Sequence, residues 1–457
     1  MSEVRTIPGP GLASKIKDRL IQQALERRAA SIDQDEVRRS AALSSQPTAL
    51  RSPGNIPDAW TRFDEHPGYQ RYKLIRDGAR KIGIANPFFQ IQDGVSSATT
   101  QLGGRELLNF SGYNYLGLCG HPEVNAAAAA AIAESGTSVS ASRIVSGERH
   151  VHQKLERALA DLYEADDCVA MVSGHATTVT TIGYLFGPRD LILHDALIHN
   201  CAMEGAKLSG AKRLSFPHND WQALDKILER CRHEHERVCI VIEGLYSMDG
   251  DFPDLPKFIE VKKRHRAFLM VDEAHSLGVM GDHGLGIREH FSVEPSEVDI
   301  WMGTLSKALA GCGGYIAGEQ ALIDNLRHAA PGFVYSVGMS PPVAAASLAA
   351  LTIMRREPQR VRRLHEVGAY FLAKARQLGI DTGLSTGFSI VPAITGSSLR
   401  AARLCHALRG HGINVQPILY PAVSEKAARL RFFLCSEHTE EQIDRTLDAL
   451  ALEWSKN

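Results

Sequence analysis

The chain has 457 residues, 44% hydrophobic and 23% charged, with a formal net charge of −1, a composition suited to one large globular domain with a smaller partner. Its basic residues are scattered, which gives nucleic acid and anionic lipid no general attraction, and no run of about 18 apolar residues suggests a membrane span. Eight cysteines with no C-x-x-C pair argue against a disulfide scaffold, and the first twenty residues lack a signal-peptide core, so the protein reads as cytoplasmic.

Leu12, Ile16, Leu20, Ile21 and Leu25 recur at helical spacing, which predicts an amphipathic helix over 12–30. Ser44 to Pro57 carries prolines that deny both helix and ladder hydrogen bonds, so residues 1–58 read as a helix and a linker. A segment over 59–119 is expected to pack with a small C-terminal domain. Pro122, the alanine run Ala126 to Ala131 and Gly136 give a helix with a proline start and a glycine stop.

Seven short apolar runs follow, alternating with helical segments: Cys168 to Ser173, Leu191 to Asp195, Arg213 to Pro217, Val238 to Gly244, Ala267 to Glu273, Val298 to Thr304 and Gly314 to Gly318. Such runs predict strands buried on both faces, hence a large α/β domain over 120–345 with a mostly parallel seven-stranded sheet. His150-Val151-His152 and His233-Glu234-His235 are i, i+2 pairs in polar surroundings and read as solvated surface, leaving no metal site. Residues 346–457 are expected to form the small α/β domain, with strands near Gly387 to Ile394 and Ala428 to Cys435.

In open α/β sheets the ligand crevice lies beyond the carboxyl ends of the strands, and the polar residues of this chain fall there. Ser173-Gly174-His175 ends the first strand and opens a helix, offering backbone N–H groups and a helix dipole to a phosphate. His199 follows the second strand, where an imidazole can stack on an aromatic cofactor ring. Glu243 to Asp251, a run containing Ser247, follows the fourth strand. Asp272 and His275 follow the fifth, and Lys307 follows the sixth through Thr304 and Ser306. A lysine amine to hold an aldehyde as a Schiff base, with a carboxylate to keep a pyridine nitrogen protonated, points to pyridoxal 5'-phosphate (PLP).

Asn109 to Leu118, Ser142 to Gly147, Glu243 to Asp251, Val271 to His275 and Thr304 to Lys307 together resemble the α-oxoamine synthases. That family includes 8-amino-7-oxononanoate synthase, 5-aminolevulinate synthase, serine palmitoyltransferase and 2-amino-3-ketobutyrate CoA ligase. The resemblance covers residues 100 to 450 and implies PLP fold type I and a homodimer with active sites at the subunit interface. It also implies decarboxylative condensation of a small α-amino acid with an acyl thioester, carried by coenzyme A or an acyl carrier protein, to give an α-amino ketone. Carried over by residue, it makes Lys307 the Schiff-base lysine and proton shuttle, Asp272 the pyridine partner and His199 the stacking ring. His275 and Ser247 would lie near the cofactor's phenolic oxygen, Ser173, Gly174, His175 and Thr304 near its phosphate, and Asn114 near substrate. Arg431 matches the arginine that grips the amino-acid carboxylate, with Arg429 as its alternative. The chain departs from the family at His175, where Phe or Tyr is common, at Thr178, where many have Asn, and at Tyr335 to Ser340. An aminotransferase or aldolase on the same fold, and a PLP-fold binding protein without turnover, are the competing readings.

Overall fold

Alternation within each apolar run sends its side chains to opposite faces of a strand, and two separate cores form as a result. In the strand Val238–Glu243, Val238, Ile240 and Ile242 enter one core while Cys239 and Val241 enter the other. The computed structural model describes residues 56–456 apart from 82 and 84. The helix expected over 12–30 and nearly all of the linker lie outside the described residues.

An N-terminal sheet contains β1 (Gln92–Asp93), β2 (Thr99–Leu102) and β3 (Arg105–Asn109). The large sheet is built from β4 (Asp167–Met171), β5 (Leu191–Asp195), β6 (Lys212–Phe216), β7 (Val238–Glu243), β8 (Phe268–Asp272), β9 (Ile300–Thr304) and β10 (Gly314–Gly318), in the order β4-β10-β9-β8-β7-β5-β6. Six strands run one way and β10 runs against them, antiparallel to both β4 and β9. This reversal matters for the site, because it makes β9 and β10 a hairpin whose loop, carrying Lys307, hangs over the carboxyl edge of the sheet. Helices Gly174–Leu185, Asn200–Ser209 and Gln320–Ala329 cover one face; His150–Tyr163, Trp221–Cys231, Leu255–His265 and Pro341–Arg356 cover the other.

The C-terminal part contributes β11 (Ile390–Ile394), β12 (Ile413–Asn414), β13 (Gln416–Ile418) and β14 (Arg429–Phe433). β11, β14 and β13 form an antiparallel sheet, while β12 adds to the N-terminal sheet in parallel with β3, so residues 92–109 pair directly with the C-terminal part. Phe110, directly after β3, packs between Phe371 and Phe432 and stacks on His438 at 4.4 Å.

Two expectations need correction. β6 is an edge strand, and Lys212, Arg213 and Ser215 are exposed, so only Phe216 of that run is buried. His152 is not solvated: it lies on the inward stripe of its helix with Leu155 and Leu159, and its Nε2 is 2.7 Å from the Met339 carbonyl. The i, i+2 spacing that suggested a surface pair places His150 and His152 on different sides of a 3.6-residue helix.

Candidate active site

The carboxyl edges of β5, β7, β8 and β9 adjoin, and a single recess there is lined by Gly174, His175, His199, Cys201, Glu243, Asp272, Ala274, His275, Met302, Thr304 and Lys307. Glu243 and Asp272 are register partners at the ends of β7 and β8. Burial and mutual repulsion push Glu243 up to about 8, although the His199 and Ser247 N–H groups donate to its two oxygens at 2.7 and 3.3 Å. Burial likewise raises Asp272, against the opposing pull of Lys307, and lowers Lys307, against the pull of Asp272 and Glu243. Among the described residues no carboxylate lies within ion-pair distance of the Lys307 amine; it sits 5.8 Å above the Tyr113 ring. Desolvation that lowers the pKa of an amine increases the share of it free to act as nucleophile or base.

His199 caps its helix, its Nδ1 accepting the Cys201 N–H at 3.2 Å with the Cys201 thiol 2.9 Å away, and burial lowers its pKa. A ring that accepts at Nδ1 and stays neutral carries its proton on Nε2. His275 is buried and held neutral by desolvation and by Lys307 and Arg431 nearby; its Nδ1 is 2.7 Å from the Tyr115 hydroxyl. Thr304 donates to the Gly313 carbonyl at 2.9 Å and accepts the Ser306 N–H, which shapes the Lys307 loop. A Cβ on Gly174 would fall 2.8 Å from Thr304 Oγ1, so glycine lets the helix start approach β9.

These residues fit PLP. Asp272 accepts the Ala274 N–H at Oδ1 and has no hydrogen bond at Oδ2 among the described residues, leaving an oxygen for a ring nitrogen. Gly174 and His175 open their helix with N–H groups that have no intrahelical acceptor, as an anion requires.

The remaining expected residues separate. Arg431 is largely buried, stacks on Phe433 at 4.5 Å and donates to the Ser247 carbonyl at 2.9 Å, but no carboxylate pairs with it among the described residues and its Nε has no partner. Arg429 is committed to Asp249 at 2.6 Å. Asn114 spends its amide on the Ser96 carbonyl and the Cys119 N–H, and Ser173 accepts the Ala176 N–H as a helix cap. Neither these two nor Ser247 lines the recess. Sequence reasoning did not assign roles to Tyr113, Tyr115, Glu243 or Cys201; the strand-end position Glu243 shares with Asp272 was the readable signal. A larger surface groove of about 490 Å³ touches Arg143, Glu148, Glu156 and Arg327, whose charges pair with one another.

The family model for class I and II aminotransferases matches residues 105–450. The chain belongs to this family. An 8-amino-7-oxononanoate synthase of Symbiobacterium thermophilum is 36% identical over 375 residues, covering 82% of this chain and 95% of that protein. A 4-hydroxy-2,2'-bipyrrole-5-methanol synthase of a Serratia species is 36% identical over 352 residues, covering 76% of this chain and 53% of its own. The structure of Sphingomonas wittichii serine palmitoyltransferase superposes with a TM-score of 0.81 at 28% identity, covering 84% of this chain and 97% of that one. Within the aminotransferase class I and II family this is therefore a PLP-dependent enzyme of the α-oxoamine synthase type, with PLP fold type I.

Proposed function

We propose that this α-oxoamine synthase joins a small α-amino acid to an acyl thioester with loss of carbon dioxide, and that Arg431 and Lys307 divide the work. The observation that carries this reading is that, among the described residues, no carboxylate pairs with the buried Arg431 guanidinium, which lies close enough to act on Lys307 and His275, while its neighbour Arg429 is already paired. A buried cation without a counter-ion is costly, and a substrate carboxylate supplies the missing charge through two parallel hydrogen bonds.

Bound PLP supplies an electron sink for negative charge developing at the amino-acid Cα. Asp272 would hold its ring nitrogen, His199 one ring face, and the helix start at Gly174 and His175 with Thr304 its phosphate. Lys307 Nζ takes the Cα proton, a role that burial favours by lowering its pKa. Arg431 keeps the carboxylate in place while Cα forms its bond to the thioester carbonyl and the thiol leaves. The Cα–carboxylate bond then breaks to release carbon dioxide, and a proton returns to Cα. His275, kept neutral and fixed by Tyr115, lines the same recess without adding a second cation. Coenzyme A or an acyl carrier protein would present the acyl group, and a second copy of the chain would complete the working dimer.

The test is Arg431→Ala in the PLP-loaded enzyme, read as separate KM values for amino acid and thioester. A rise confined to the amino acid supports the assignment. A rise confined to the thioester rejects it.

A further inference from the structure

The segment from Gly244 to Asp251 presents the Ser247 carbonyl to Arg431, and hydrogen bonds fix it from two sides. On the small-sheet side, Arg429 pairs with Asp249 and donates to the Met248 carbonyl, and the Gly250 carbonyl accepts both the Thr386 N–H at 3.0 Å and its hydroxyl at 2.8 Å. Gly250 has φ +71°, and a Cβ there would fall 2.2 Å from the Ile390 carbonyl, so the segment lies tight against β11.

On the large-sheet side the Gly244 N–H donates to the Asp272 carbonyl at 2.8 Å, Glu243 accepts the Ser247 N–H, and His218 ties the far end of the segment. Its Nδ1 is 2.8 Å from Asp195 Oδ1 and its Nε2 is 2.8 Å from Asp251 Oδ2, with its ring edge-on to Tyr246 at 4.5 Å. Asn219 reinforces both ends, its N–H donating to Asp195 Oδ2 at 2.7 Å and its amide to Asp251 Oδ2 at 3.0 Å. Asp195 also accepts the Leu197 N–H at 2.8 Å, so the same imidazole anchors the turn that leads to His199. His218 itself does not line the recess. Asp195 and Asp251 are both buried, and without His218 no other side-chain cation pairs with either among the described residues.

We propose that His218 is a positioning residue for amino-acid binding: through Asp251 it holds the 244–251 segment so that Arg431 is presented to the recess. The proposal rests on Arg431 as the carboxylate grip. Losing His218 leaves two buried carboxylates uncompensated, and the segment must move to rehydrate them, which displaces the Ser247 carbonyl and the guanidinium it orients.

The test compares wild type, His218→Asn, Arg431→Ala and the double variant as PLP-loaded enzymes. His218→Asn is expected to raise the amino-acid KM by about tenfold to hundredfold, the range for a displaced positioning group, with the thioester KM little changed. Added to Arg431→Ala it should raise the amino-acid KM no further. A His218→Asn enzyme that loses thermal stability but keeps its amino-acid KM overturns the proposal, as does an effect that multiplies in the double variant. If His218→Asn does not fold, Asp251→Asn breaks the same link and is read by the same criteria. An Arg431→Ala enzyme with an unchanged amino-acid KM instead removes the grip on which the proposal stands, a distinct outcome.

Discussion

Arg429 and Arg431 lie two positions apart on β14 and so project from the same face of that strand, yet among the described residues only Arg429 has a counter-ion. Alanine at Arg431 should raise the amino-acid KM by roughly ten- to a hundredfold, as loss of a charge-assisted contact worth about 1.5 to 3 kcal/mol would. Alanine at Arg429 strands the buried Asp249 and should instead cost about 3 to 5 kcal/mol of stability, seen as a lower Tm. Exchange of these two phenotypes would reverse the assignment. Lys307→Ala should abolish turnover and leave PLP removable by dialysis, because among the described residues no other amine lines the recess; turnover at the wild-type rate would rule Lys307 out. Residue types at strand ends made Lys307, Asp272, His199 and His275 readable from sequence. A matching motif places a residue near a site without saying what its side chain bonds to, and so could not reveal that Asn114 and Ser173 are occupied by backbone groups.

At the scale of elements, the strands of the large sheet begin and end within two residues of the apolar runs that suggested them, because each is a short β-rich stretch closed by a turn. Order and direction were less readable. That β10 is reversed and β6 is an edge are properties of pairing, which no local pattern encodes, and the hairpin that carries Lys307 follows from the first of these. Gly250 is the clearest single point where an element depends on one residue. Its positive φ and its approach to Ile390 predict that Gly250→Ala lowers stability by more than about 1 kcal/mol and raises the amino-acid KM, since the backbone must shift at the segment that backs Arg431. Denaturant melts together with amino-acid KM measurements check both effects, and an unaltered melt would show that the contact is easily relieved.

Across the whole molecule, the ties among β5, β6 and β7 should make stability depend on pH. Burial lowers His218, but its hydrogen bonds to Asp195 and Asp251 overcome this and lift it to about 10. A histidine whose folded pKa exceeds its unfolded value of about 6.5 stabilises the fold fully below that value, and the contribution fades as pH rises through about 10. Wild type should therefore lose Tm between pH 7 and 10, and His218→Asn should lose less over the same interval; parallel curves would exclude His218 as the source. Among the described residues no helix is long and apolar enough to cross a membrane.

On the reading proposed above, the enzyme joins two substrates at one carbon. The most direct measurement incubates the PLP-loaded enzyme with a carboxyl-labelled small amino acid, glycine, alanine or serine in turn, and an acyl-CoA or carrier-bound acyl thioester, then follows labelled carbon dioxide, free thiol and α-amino ketone together. Equal amounts of all three are expected with at least one pairing, and none of them when either substrate is withheld. Transfer of the amino group to a 2-oxo acid, with the thioester intact and the labelled carboxylate retained, would contradict that reading.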